Sequence, residues 1–398
     1  MGSIRRLRLV FMTVLATAAL SAGGMAQRTD RVPDGGGRPK TKDPLRKTLD
    51  EYDAFQAELA HLVDPAPALR NWDDRLSQSV SRSPDSPWIR LAKIRRLGIA
   101  NVLGNEPIAA SLADELSVES TSVENRVFFA FEGGEILMNR FRKSHDRVDA
   151  AAALAKLTAA RQLFLESRAK DGGGGDVNVG RYVISSYLEG ELLGNVFRRH
   201  EASSEVLEAA GAYLRTEASQ AARRHLATTQ YDDELFLSSA MLASARARKV
   251  DHARELYGKL ASISSLRVSV ERHFLALNEA VYPSGGPAFQ NELQSWLDTH
   301  RESAVRHELL YALGLDQARC AMPAEAARTF ELLVAECEPR VESDGRILGV
   351  VREEEFQLVA LRGLLDDNTG RERSRKRFLR LAEPNDPRAI RLRSEPGS

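Results

Sequence analysis

An excess of charge of either sign is missing: 56 basic side chains stand against 56 acidic ones. Long-range attraction of the whole molecule to nucleic acid or anionic lipid is thereby excluded, and any such contact has to be local. Cysteine is scarce too, with only Cys320 and Cys337 in 398 residues, so at most one internal disulfide can form. No stretch alternates apolar and polar residues as a strand does, which leaves no β-sheet to expect. Beyond the first residues no run is apolar enough to span a bilayer.

Catalytic patterns are missing as well. His307-Glu308 opens like the zinc-protease pattern H-E-x-x-H, yet the second histidine position holds Tyr311, and one ligand is lost. Both residues are expected to face solvent near a helix start. Gly172 to Gly175 lacks the G-x-G-x-x-G order and follows a helix instead of a strand, so it lacks phosphate-binding geometry. No G-x-S-x-G nucleophile motif occurs. Three acidic clusters, Asp232 to Glu234, Glu353 to Glu355 and Asp366-Asp367, are read as structural. The first two are placed at helix starts, where negative charge complements the dipole, and the third in a turn. No catalytic residue, metal ligand or cofactor site is predicted, and the chain reads as non-enzymatic.

What is present begins at the N-terminus. Arg5, Arg6 and Arg8 precede an apolar stretch from Leu9 to Ala22, and Gly24-Met25-Ala26 offers a small-x-small cleavage site before Gln27. Residues 1–26 read as a secretory signal peptide, because the apolar run is shorter than the roughly 20 residues a spanning helix needs. The expected location is periplasmic or secreted, without stable membrane insertion after cleavage. Cleavage takes three arginines and no acids from the balanced chain, which stays close to neutral.

Residues 27–42, with Gly35-Gly36-Gly37, Pro33 and Pro39, form a flexible leader. Asp43-Pro44 then caps a helix whose Leu45, Leu49, Tyr52, Phe55, Leu59 and Leu62 recur at spacings of three and four. Asp64-Pro65 starts another, with Leu69, Trp72 and Leu76 on its stripe, and Ser86-Pro87 a third. From Val123 to Phe141 the apolar residues are dense around Gly133-Gly134, and Gly190 and Gly194 interrupt a long helix expected over Val179 to Arg199. Glycine inside a helix costs roughly 1 kcal/mol relative to alanine, so close packing against a neighbouring helix is the expected reason.

Two stretches share one spaced signature. Leu310, Leu313 and Gly314 are followed by Ala326, Phe330 and Leu333, with Pro339 closing the unit; Leu237, Ala240 and Met241 lead at the same offsets to Ala253, Tyr257 and Leu260. Residues four apart share a helix face, so a small residue permits close crossing and an aromatic fills the gap beside it. Pro323 opens the second helix, where its missing donor costs nothing. Looser copies carry Leu358, Leu361, Phe378, Leu381 and Pro387, with Ser374 at the small position; Leu193, Val196, Ala209 and Tyr213; and Ala160 and Phe164. On this hairpin reading Cys320 and Cys337 end successive helices roughly 20 Å apart, beyond the ~7 Å that a disulfide spans. Both are predicted to be free and mostly buried.

These residues resemble the tetratricopeptide repeat family, whose unit is about 34 residues of helix-turn-helix. The resemblance is strongest over 307–340, weaker over 234–267 and loose elsewhere. The early aromatic is replaced by Leu237 and Leu310, and polar insertions interrupt the copies, one at Arg340 to Gly349. It implies an all-α, right-handed superhelical array of antiparallel helix pairs over 43–388, with a disordered basic tail over 389–398. It also implies a groove for a partner protein or peptide of the bacterial envelope, lined by the first helix of each repeat. Outward positions on those helices are Glu234, Ser238, Ser239, His307, Tyr311 and Gln317. A basic run, Arg371, Arg373, Arg375, Lys376, Arg377 and Arg380, reads first as the solvated face of a terminal capping helix and second as a patch for an acidic partner, polymer or membrane surface. Two other readings remain open: an envelope-polymer or carbohydrate binder, against which Trp72, Trp88 and Trp296 all fall on apolar stripes, and an enzyme with an unrecognised site.

Overall fold

A computed structural model describes residues 43–171, 176–264 and 266–394. The signal segment, the leader and the run from Gly172 to Gly175 lie outside the described residues. Within them the chain is all-α: eighteen α-helices and a few single turns follow one another, with no strand. Consecutive helices pack as pairs. The chain divides into two compact units, one holding the helices up to Arg198 together with Ala212–Tyr231, the other holding Arg199–Gly211 and everything from Asp232 onward.

The first unit contains α1 (Pro44–Gln56), α2 (Ala66–Arg82), α3 (Ile89–Leu103), α4 (Glu106–Glu119), α5 (Val123–Ser144), α6 (Arg147–Asp171) and α7 (Asp176–Glu191). The Asp43 carboxylate accepts from the Leu45 and Arg46 amides and so caps α1; the Ser86 hydroxyl, 2.6 Å from its other oxygen, holds it below the usual carboxylate range. Leu45, Leu49, Tyr52, Leu69, Trp72 and Leu76 form one buried cluster, as their spacing predicts. Leu59 joins that cluster from a separate 3₁₀ turn, and Leu62 is exposed, because α1 stops at Gln56. Gly134 packs as expected: a Cβ there would lie 2.8 Å from Leu157 Cδ2 of α6. The helix predicted to reach Arg199 instead ends at Glu191 and passes into a π-helical turn, Leu192–Val196, which contains Gly194.

Helix α8 (His200–Thr216) spans the division between the units, and α9 (Gln220–Thr228) belongs to the first. The second unit continues with α10 (Asp233–Arg246), α11 (Val250–Ile263), α12 (Arg267–Val281), α13 (Pro287–Thr299), α14 (Arg306–Arg319), α15 (Pro323–Cys337), α16 (Gly345–Leu364), α17 (Asn368–Leu381) and α18 (Pro387–Ser394). Leu310, Leu313, Gly314, Ala326, Phe330 and Leu333 are all buried. Their spacing has a direct steric basis, since a Cβ on Gly314 would sit 2.7 Å from Phe330 Cε1. Leu237, Ala240, Met241, Ala253 and Leu260 are buried in the same way. Ser374, at the small position of the third copy, is buried and accepts from Arg362 Nη1 at 2.9 Å. Arg362 also donates to the Gly370 carbonyl and to Glu331, at 2.7 and 2.6 Å. Serine therefore serves there as both a small residue and a hydrogen-bond partner.

Buried acids fasten the loops between these helices. Asp316, fully buried, accepts from the Gly286 amide at 2.9 Å and from Gln290 Nε2 at 2.8 Å. Glu271 does the same for the next loop, accepting from Ser303 Oγ at 2.9 Å and the Ala304 amide at 3.1 Å. The turns inside three of the hairpins, α10–α11, α14–α15 and α16–α17, repeat a further device. Arg248, Ala321 and Asp366 take φ values of 66°, 57° and 55°, and the next residue's amide reaches back to the helix: Lys249 to Ser244 O, Met322 to Gln317 O and Asp367 to Arg362 O. This is the Schellman closure, built here without glycine.

Four further expectations need correction. The stretch after Arg340 is largely helix: Asp344 caps α16 by accepting from the Arg346 amide, so Glu353 to Glu355 stand in mid-helix, where no dipole argument applies. The tail from 389 is helical through Ser394, because Ala389 and Leu392 bury against Val359 and Phe378. Cys320 and Cys337 are both free, but Cys320 is exposed, as it lies in the turn after α14. Trp88 precedes its helix as the N-cap residue instead of lying within it. No helix among the described residues is long and apolar enough to cross a membrane.

Candidate functional site

Helices α12, α14 and α16 are the first members of three successive hairpins, and each turns one stripe toward a common cleft of about 600 Å³. The stripes follow from helical period: Leu275 and Glu279 on α12, then His307, Tyr311 and Leu315 on α14, then Arg346 and Val350 on α16 are four apart. Leu275, Ala312, Leu315 and Val350 give the cleft its apolar surface. Glu279, Glu308, Glu353 and Glu354 give it acid. A second hollow of about 420 Å³ shares Glu279, Ala312 and Leu315 and continues toward Tyr282, Pro283 and Phe289.

The four acids are not equivalent. Glu308 pairs with Arg272 at 2.8 Å and Glu353 with Arg388 at 2.6 Å. Glu354, with 1% of its surface exposed, has an Oε2 with no hydrogen-bond partner. Burial first, and then the charges of Glu353 and Glu355, push its carboxyl up to about 8. Partial desolvation at the cleft rim also raises Glu279, against the opposing charge of Arg319; its carboxylate has no hydrogen bond or ion pair among the described residues. His307 is lowered by the same cause, against the opposing pull of Glu308, and is neutral at physiological pH. Tyr311 is raised, again chiefly by burial.

The six groove positions named from the sequence divide. His307 and Tyr311 line the cleft, and His307-Glu308 thus faces a concave surface instead of open solvent. Gln317 accepts from Thr329 of its own hairpin at 2.7 Å. It lies six residues beyond Tyr311, about 240° around the helix. Glu234 accepts from Ser264 at 3.2 Å and from Ser269, tying α10 to the segment that leads into α12. Ser238 donates to the Leu235 carbonyl at 3.0 Å, and Ser239 is half-buried beside it. The cleft residues not named from the sequence are Leu275, Glu279, Leu315, Val350, Glu353 and Glu354. The Glu353 to Glu355 triplet was visible, and placing the α16 start at Asp344 would have turned it inward.

The basic run divides as well. Arg375 donates to the Leu392 carbonyl at 3.1 Å and pairs with Glu372. Arg377 pairs with Glu338, and with Glu355 at 3.2 Å. Arg371 is half-buried, whereas Arg373, Lys376 and Arg380 are exposed, Lys376 lying 3.7 Å from Glu372.

A separate acidic pair sits in the first unit. Glu135 is pushed up to about 7 by burial and then by Glu132, one turn earlier on α5. Burial likewise raises Glu132, opposed by Arg181 of α7. The Arg181 guanidinium lies 4.3 Å from the centre of the Phe128 ring and donates to Asn178 Oδ1 at 3.1 Å.

Among the described residues no group of three or more His, Cys, Asp or Glu side chains is arranged to hold a metal ion. The scan against protein-family models finds no match, and the search of curated proteins finds no relative.

Proposed function

We propose that this chain is an exported, tetratricopeptide-like scaffold of the bacterial envelope that binds a partner protein or peptide in the cleft lined by α12, α14 and α16. The observation that carries the reading is the set of apolar side chains Leu275, Ala312, Leu315 and Val350, turned into one hollow by the first helices of three successive hairpins. A volume of this order falls within the roughly 300–1,000 Å³ of small-molecule sites, and the adjoining hollow extends it for an elongated ligand. Export rests on the arginines and apolar stretch that precede Gln27.

An enzymatic reading draws on the displaced carboxyls of Glu354 and Glu135, since perturbed acids cluster at catalytic sites. Binding is the better reading because Glu308 and Glu353 are tied up in ion pairs with Arg272 and Arg388 instead of standing free for acid–base work, and the rest of the lining is largely apolar. An envelope-polymer reading draws on Tyr311 in the cleft wall. It lacks a tryptophan platform there, as Trp296 stacks on Phe274 and His300 instead.

Tagged full-length protein is expected in the periplasmic or secreted fraction, capturing one dominant envelope protein after crosslinking. Leu315→Glu, which places a charge on the cleft floor, is expected to reduce that capture about tenfold or more. Retention of the protein in the cytoplasm, or equal capture by the variant, would contradict the proposal.

A further inference from the structure

We propose that the Glu279 and Glu354 side of this cleft accepts a lysine or arginine side chain from an extended segment of the partner protein. The inference rests on the binding reading above and adds the chemistry of what is bound.

Two of the four cleft acids already have cations in ion-pair contact, Arg272 for Glu308 and Arg388 for Glu353. Glu354 has none, and Glu279 feels only the charge of Arg319, whose own ion pair is with Asp316 at 2.7 Å. A carboxylate oxygen left unpartnered at 1% residue exposure is costly to keep, and native structures seldom do so without a reason. Ammonium and guanidinium groups supply N–H donors, and a cation at this point draws the Glu354 carboxyl, protonated in the free protein, to its charged form. The methylene stem of either side chain matches the apolar surface of Leu275, Leu315 and Val350. His307, neutral beside these acids, adds no repulsion. Arg346, the lining cation of the first hollow, is itself exposed.

The second hollow decides between a free amine and a chain segment. It shares Glu279, Ala312 and Leu315 with the first and continues to Phe289 and Tyr282, further than one basic side chain needs. A segment whose basic residue meets the acids can place an apolar neighbour there, as extended-peptide recognition requires.

The test uses full-length protein and acetylated, amidated nonapeptides of leucine and alanine that differ only in a central Arg, Lys, Gln or Glu. Affinities are read by calorimetry, with Leu315→Gln, which removes apolar cleft surface without adding charge, as the control that places binding in the cleft. The Arg and Lys peptides are expected to bind about tenfold or more tightly than the Gln peptide, with Glu weakest. Glu279→Gln and Glu354→Gln are each expected to erase most of that preference, and Glu279→Lys to favour the Glu peptide over the Arg peptide. Glu279 is exposed, so its variants keep the test valid should Glu354→Gln fail to fold. If the peptides bind in the cleft with no dependence on the central charge, the inference fails and the binding reading survives. Should butylamine compete as well as the whole Arg peptide, a chain segment is the wrong occupant. If no peptide binds the folded protein, both readings fall.

Discussion

Phe330→Ala is expected to lower the unfolding free energy by about 3–5 kcal/mol, among the largest losses any single substitution should cause here. The ring is fully buried in α15 within a cluster that includes Leu310, Leu313, Ala326 and Leu333. It lies against the face of Gly314, where even a Cβ would collide with it. The backbones of α14 and α15 are therefore held at a separation set by this ring, and alanine would leave a void that neither helix can close without moving. Tyr311 packs against Phe330 with ring centres 6.2 Å apart, so the cleft wall is expected to loosen along with the core. Urea unfolding monitored by circular dichroism measures the loss. Leu332, two residues further along the same helix and 44% exposed, is the control, and its alanine variant is expected to stay within about 0.5 kcal/mol of the native chain. Equal losses at the two positions would contradict the hairpin packing.

The second large effect depends on pH. Glu354 titrates at about 8 in the folded protein, against an ordinary 4.5. The folded state thus holds a proton that the unfolded state has released between those values, and stability falls as pH rises through that window. The slope is about 1.4 kcal/mol per pH unit while the two states differ by one proton. Glu354→Gln removes the titration. Its unfolding free energy is expected to match the native protein near the low end of the window and to exceed it by a few kcal/mol at the high end. Groups around the site from all three helices persist in both proteins: Glu279 on α12, His307, Glu308 and Tyr311 on α14, and Arg346, Glu353 and Glu355 on α16, with Arg388 pairing Glu353. Their contributions largely cancel in the difference, as does that of Glu135 in the other unit. Parallel stability curves from pH 4.5 to pH 8 would show that Glu354 is not held in its neutral form.

Much of the fold is legible in the sequence because helical period leaves a direct mark on it. Leu45, Leu49 and Tyr52, or Leu310 and Leu313 with Ala326 and Phe330, could share a face only in helices, and the structure buries them. Helix ends are less legible. Schellman closures normally advertise themselves by glycine, and Arg248, Ala321 and Asp366 carry no such signal. Gly345 and Gly349 suggested a loop where α16 begins, and that error placed Glu354 at a helix start instead of inside the cleft. In the tail, charged residues masked the pair of small contacts, Ala389 and Leu392, that hold α18.

The site is less legible than the fold for a geometric reason. Periodicity within one helix separates buried from outward positions, as at His307 and Tyr311, but it cannot say which outward positions three different helices turn toward one another. Gln317 is outward by period and yet engages Thr329 of its own hairpin. Glu279 and Val350 carry no local signal, and they become cleft residues only through the packing of α12, α14 and α16.

The central claim, that this cleft is the surface a partner occupies, is tested most directly by a photo-crosslinking amino acid placed in turn at Leu315, on the cleft floor, and at Leu332 and Leu364, which are exposed outside the cleft lining. Irradiation of intact cells is expected to give one discrete adduct from position 315, and none of the same mass from positions 332 and 364. The same adduct from all three positions, or adducts from 332 and 364 with none from 315, would contradict it.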